Sequence, residues 1–351
     1  MENTLKPTFK AAVLFEQNAP LQIVSMATLD PIEGQVGIRM ITASLCGAQW
    51  NEITGVKGPD KFLPHMMGHE GLGEVVSIGS GVTKVRNGDI VILHWRKGRG
   101  CDCFGPKFTS PLGAIGSGSV TTFSEYAVVA ENRVTPIRYN SDLKYIYPLV
   151  GCALSTSWGL LTKEVKAKAE HTLLICGAGG LGLAIAFWVK LFQFKRPAIF
   201  DRAESKRSLI QSLGGDFYSV DSGDSIDDIK KTFDIVIETT GNVENISKCF
   251  DRVKPGGNLV LVGQPAVGSV LTLKNPLRIF DGITIFSSAG GLFNPDEDIG
   301  IILNHLENNM KLLKLLISHV IHLEDVNDGF GLMQAGAAAR VVIDFEEGGQ
   351  S

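Results

Sequence analysis

Two sets of residues in this chain have the types and spacing to do chemistry. The first is Gly177-Ala178-Gly179-Gly180-Leu181-Gly182, a G-x-G-x-x-G run that follows the apolar stretch 172–176 (TLLIC) and opens the long apolar stretch 181–194. Such glycines allow a tight turn, close approach to a pyrophosphate and close helix–strand packing. The helix that follows offers free N–H groups and the positive end of its dipole to the phosphates. Asp201 stands nineteen positions beyond Gly182, at the end of the next apolar run, where an acid takes the ribose 2′-hydroxyl. Its charge opposes a 2′-phosphate, so the expected cofactor is NAD(H) rather than NADP(H), with Arg202 beside it as the feature working against that preference. A glycine turn in a cofactor-free α/β domain is the alternative.

The second set is Cys46, His69-Glu70 and Cys152, far apart along the chain. Taken singly, a buried cysteine is usually a small hydrophobe and a histidine a hydrogen-bonded structural residue. The six cysteines are too sparse for a disulfide framework, so a thiol or metal role is the more natural one. The flanks sharpen this. Leu45-Cys46-Gly47, Gly68-His69-Glu70-Gly71-x-Gly73 and Gly151-Cys152-Ala153-Leu154-Ser155-Thr156 resemble the catalytic-zinc segments of the medium-chain alcohol dehydrogenases. Cys152 also precedes Gly177 by twenty-five positions, much as in typical members.

The resemblance implies one catalytic zinc per chain, held by Cys46, His69 and Cys152, with a fourth position left for water or substrate. A zinc so placed acidifies an alcohol as a Lewis acid, and the nicotinamide takes the hydride. By the same resemblance Glu70 is an acid near the metal, and Thr156 and Leu181 set the nicotinamide ring. Lys206 bonds the adenosine ribose, Arg340 binds pyrophosphate and Trp95 lines the substrate pocket. Leu181 and Trp95 also read as plain core residues, and Lys206 as a solvated charge.

The chain departs from that pattern in two places. Where the family carries a hydroxyl and an imidazole that pass the alcohol's proton to solvent, Ala48 and Asn51 stand. Neither a methyl nor an amide relays a proton at neutral pH, and Gln49 replaces the usual acid. A water chain, Glu70 or a substrate hydroxyl would have to serve. In the lobe where relatives hold a second zinc on four cysteines, only Cys101 and Cys103 occur. Arg96, Lys97, Arg99 and Lys107 make that lobe basic, either as a solvated loop or as a receiver for an anionic or heavily hydroxylated substrate.

Two textures must position these groups. Up to about residue 136 short β segments (36–43, 73–78, 89–95, 123–129) alternate with polar turns, which predicts a barrel-like β domain. Beyond Gly151, apolar runs at 172–176, 198–200, 235–238 and 259–262 are separated by helical lengths, the mark of a parallel sheet with crossover helices. A helix is expected over 301–316 and a last strand over 340–345.

The expected fold is thus α/β in two domains. A GroES-like β-barrel catalytic domain spans 1–153 and is completed by 289–351; a Rossmann doubly wound domain spans 154–288. The net charge of −4 argues against a nucleic-acid partner, and no apolar run approaches a membrane span. The expected protein is a cytoplasmic homodimer or homotetramer. It would act on a small-molecule alcohol or carbonyl, the expected classes being polyol, cyclitol or sugar-like compounds. The alternatives are a carbonyl reductase without the usual relay and a non-catalytic NAD-binding protein with structural zinc.

Overall fold

The computed structural model describes residues 6–346. Alternation of apolar and polar positions in the first third folds into two sheets. The larger runs Val134–Pro136, Ile90–Leu93, Gly71–Ile78, Gln35–Ser44, Arg340–Asp344 and Ile317–Ile321, with Tyr126–Ala130 also pairing to Gln35–Ser44. Gln35–Ser44 lies at its centre and is buried along almost its whole length. The smaller sheet runs Gln22–Ala27, Thr8–Leu14, His65–Met66, Gly113–Gly116 and Lys107–Ser110.

The later apolar runs form a separate parallel sheet. In spatial order its strands are Asp216–Ser219, Ala198–Asp201, Leu173–Cys176, Phe233–Glu238, Val253–Leu261 and Thr284–Ser287. Leu173–Cys176 is wholly buried and apolar, as a strand covered by helices on both faces must be. The chain leaves it in one direction and later returns on its other side, so a crevice opens beyond the carboxyl end of this strand. The helix Gly180–Leu191 starts there. Its Trp188 indole N–H donates to the Leu154 carbonyl at 3.0 Å, tying this helix to Ala153–Gly159.

The chain ends by returning to the first domain. Arg340–Asp344 pairs antiparallel with Gln35–Ser44, Val342 opposite Ser44 and Ile343 opposite Ala43. This register sets Arg340 beside Leu45 and Cys46. The helix expected over 301–316 instead spans Pro295–Glu307, followed by the short Met310–Leu313. Asn294 caps its start by accepting from the Asp296 N–H at 3.2 Å, and proline takes the first turn, where no N–H is needed. Asn308 and Asn309, poor helix formers, break it at the other end. No helix among the described residues is long and apolar enough to cross a membrane.

Candidate active site

Three separate elements deliver the sulfur and imidazole groups. Cys46 lies two residues beyond the central strand Gln35–Ser44 and caps the helix Gly47–Ile53, its N–H donating to Gln49 Oε1 at 2.8 Å. His69 sits in the turn before Gly71–Ile78. Gly68 takes φ 96° there, and a Cβ on it would lie 2.7 Å from the Phe123 amide nitrogen, so only glycine admits this path. Cys152 precedes the helix Ala153–Gly159 and accepts from the Thr156 N–H at 2.8 Å through its carbonyl. The ligand atoms of Cys46, His69 and Cys152 lie within 4.8 Å of one another.

That set suits zinc in chemistry as well as spacing. The hydrogen bond from Cys152 holds the Cys46 thiol well below its ordinary pKa, and sharing with Cys46 pushes Cys152 well up. Burial works against a charged His69, but the Cys46 thiolate overcomes it and raises the imidazole. A divalent cation would satisfy all three donors at once. Gln49 packs against His69, its Nε2 2.6 Å from Nδ1, in the place where the family has an acid.

Glu70 is fully buried behind these ligands. One oxygen pairs with Arg340 at 3.0 Å, and the other has no partner. Burial pushes its carboxyl up to about 7, against the pull of the Arg340 guanidinium. An unpartnered buried carboxylate oxygen beside the three donors is the kind of group a cation accommodates.

The dinucleotide elements meet this site through Arg340. Its Nη1 donates to the Leu45 carbonyl at 2.7 Å. Its buried Nε has no partner and crowds the face of Gly180 where a Cβ would stand. Beside it, a Cβ on Gly179 would meet nothing within 4 Å, which leaves open the approach a pyrophosphate needs. Asp201 Oδ2 accepts from the Ala178 N–H at 2.6 Å, and Lys206 Nζ lies 3.4 Å from Oδ1. Lys206 is therefore a buried partner of Asp201 rather than a solvated charge. Arg202 points away and donates to the Gln334 carbonyl at 2.6 Å. Thr156 is buried, and Leu181 is half-buried against the core between the domains.

A cavity of about 350 Å³ opens onto His69. Trp95 forms part of its wall, together with Glu52, His65, Ser117, Thr121 and Arg133. Ala48 is exposed and Asn51 half-buried on the helix Gly47–Ile53. Sequence reasoning missed Glu52, His65 and Arg133. His65 lies 2.8 Å from Asp60 and 3.9 Å from Glu52 through Nε2, and no short motif marks that trio. The basic lobe is largely committed elsewhere. Arg96 lies over Trp95 at 5.4 Å and donates to the Ala289 carbonyl, Lys97 pairs with Asp102, and Arg99 faces Glu297 at 3.7 Å. Cys101 and Cys103 are free thiols facing the Gly81 and Gly34 carbonyls.

A Cys–His–Cys cluster, a glycine turn at the switch point of a parallel sheet and a β domain closed by the C-terminal strand define a zinc- and nicotinamide-dependent oxidoreductase. Comparison with known proteins agrees. Residues 32–139 match the alcohol dehydrogenase GroES-like domain, and residues 180–306 the zinc-binding dehydrogenase domain. An S-(hydroxymethyl)glutathione dehydrogenase of Synechocystis sp. is 26% identical, over 96% of this chain and 99% of its own. Two solved structures share the fold. One is an alcohol dehydrogenase zinc-binding domain protein from Burkholderia ambifaria, with TM-score 0.84, 20% identity and coverage of 97% and 99% of the two chains. The other is a benzyl alcohol dehydrogenase from Acinetobacter calcoaceticus, with TM-score 0.83, 21% identity and coverage of 97% and 100%. The chain belongs to the zinc-dependent medium-chain alcohol dehydrogenase family, whose cofactors are zinc and a nicotinamide dinucleotide.

Proposed function

We propose that this chain reversibly oxidises a secondary alcohol on a polyol, cyclitol or sugar-like substrate, with NAD as the preferred cofactor. The observation that carries this reading is the cavity at His69, walled by Glu52, His65, Ser117, Thr121 and Arg133 around Trp95. Several convergent polar groups with one aromatic wall suit a compound with many hydroxyls. Cys46, His69 and Cys152 would hold the zinc, which when bound polarises the substrate oxygen. Arg340 and the Gly179–Gly180 turn would hold the pyrophosphate, and Asp201 the adenosine ribose. Arg202 is tethered to the Gln334 carbonyl, so it does not offset the Asp201 charge against a 2′-phosphate; Lys206 is the cation paired with that carboxylate. The six free thiols suit a cytoplasmic setting.

Ala48 and Asn51 shape the choice of substrate. Without a hydroxyl–imidazole path, a neighbouring substrate hydroxyl, an ordered water or Glu70 has to carry the proton. Turnover of polyols, cyclitols, S-(hydroxymethyl)glutathione and short aliphatic alcohols, read by NADH absorbance, tests this. Polyhydroxylated compounds are expected to lead, by a margin within the roughly 10²–10⁴-fold worth of general acid–base help. Ala48→Ser with Asn51→His is expected to raise turnover of short alcohols more than of polyols. Equal wild-type rates on both classes, or a ratio unmoved by the double replacement, would sink the reading.

A further inference from the structure

Arg133 closes the 3-10 turn Glu131–Arg133 that follows the strand Tyr126–Ala130. Its backbone carbonyl accepts from the His94 N–H at 3.0 Å, so the residue is pinned to the strand that leads into Trp95. Its side chain folds toward the cavity that opens onto His69 and is part of its wall. Only 8% of the residue is exposed. Within the protein, the guanidinium donates through Nη1 to the Trp95 carbonyl, and its buried Nε has no partner.

The carboxylates near it are hydrogen-bonded or turned to other groups, and Asp102, whose charge does act on Arg133, makes no hydrogen bond to it. Glu131 accepts from the Thr83, Lys84 and Cys101 N–H groups. Asp102 takes Lys97 and Asn132. Glu52, which shares the cavity, lies toward His65. A guanidinium taken out of water without an anion is costly. Trp95 repeats the imbalance, since its indole N–H is buried in the same wall and also lacks a partner. Both groups are donors only. Two unpartnered donors, one of them charged, call for an acceptor with negative charge.

We infer that the substrate carries an oxyanion, a carboxylate or a phosphate, and that Arg133 receives it with the Trp95 indole N–H beside it. This rests on the cavity at His69 being the substrate site of the proposed dehydrogenase. It moves anion recognition from the exposed basic run 96–107 to a single buried arginine that no motif marks. The substrate class narrows from uncharged polyols to hydroxylated acids or polyol phosphates.

Three probes with matched six-carbon skeletons test this: D-glucitol, D-gluconate and D-glucitol 6-phosphate. Binding is measured by isothermal titration calorimetry on the zinc-loaded protein with NAD, and turnover by NADH absorbance. At least one anionic probe is expected to bind tenfold or more tightly than D-glucitol, and whichever does identifies carboxylate or phosphate as the group. Arg133→Gln is expected to abolish that preference, a loss on the order of tenfold or more, and Arg133→Lys, which keeps a charge, to lose less of it. Equal wild-type affinity for all three probes overturns the inference, a result that needs no variant to fold. A folded Arg133→Gln that keeps the full preference overturns it too. Tighter binding of an anion without NADH formation from any alcohol would sustain the anion site and defeat the dehydrogenase reading. NADH formation with no anion preference would do the reverse.

Discussion

Cys46, His69 and Cys152 offer two sulfurs and one imidazole within 4.8 Å of each other, a donor set that leaves one position of a tetrahedral zinc open. Elemental analysis is expected to find about one zinc per chain, and Cys152→Ser is expected to lose it. Zinc that survives this replacement would point instead to the Glu52, Asp60 and His65 cluster. The proposed preference for NAD rests on another single side chain. Asp201 accepts from the Ala178 N–H and so both braces the glycine turn and sets its charge near the ribose position. Asp201→Ala is expected to narrow the NAD-over-NADP ratio in kcat/KM, on the order of tenfold, because like charges brought together are costly. Equal use of both cofactors by the unaltered protein would show that Arg202 outweighs Asp201.

At the scale of elements, the strand Ile90–Leu93 has to carry Trp95 to the cavity wall, and His94 is the joint between them. It is fully buried, with its ring nitrogens on the Arg96 carbonyl at 2.7 Å and the Thr135 hydroxyl at 3.0 Å. Burial holds its pKa down to about 4, although the Arg96 carbonyl pulls the other way. The folded protein therefore keeps His94 neutral over a range where the unfolded chain binds a proton. Its contribution is full above about pH 6.5 and is lost progressively as pH falls toward 4, on the order of 3 kcal/mol in all. Chemical denaturation across that window is expected to show the loss, and His94→Gln is expected to flatten the slope. An unchanged slope in the variant would mean that other groups carry the acid sensitivity.

For the whole molecule, the parallel sheet ends on Thr284–Ser287, an edge strand whose Ile285 is 37% exposed. The segment leading into it leaves Leu277 75% and Phe280 87% exposed. An open strand edge flanked by large apolar side chains is a pairing surface unless something covers it. A homodimer or homotetramer is the expected state, checked by light scattering coupled to size-exclusion chromatography. Phe280→Asp is expected to shift the population toward smaller species. A monomer at micromolar concentration in the unaltered protein would remove this reading.

Period and punctuation along the chain determined much of this by themselves. The apolar run at Leu173–Cys176, the glycines after it and the regular spacing of the later strands state a parallel sheet with a phosphate turn, because these signals are local. The flanks of Cys46, His69 and Cys152 pointed to a metal, although the residues are dispersed. The helix expected over 301–316 shows the limit of such reading: its apolar stripe was visible, while Asn294 and the Asn308–Asn309 pair decided where it starts and stops. Tertiary structure alone decided which side chains share a site. Arg340 reaches Glu70 and Leu45 only because the last strand returns to pair with Gln35–Ser44. Gln49 finds His69, Asp201 turns to Ala178, and Arg133 enters the cavity beside Trp95. These contacts join residues twenty to 295 positions apart. Local periodicity says which face of an element is buried, but only packing says what that face meets.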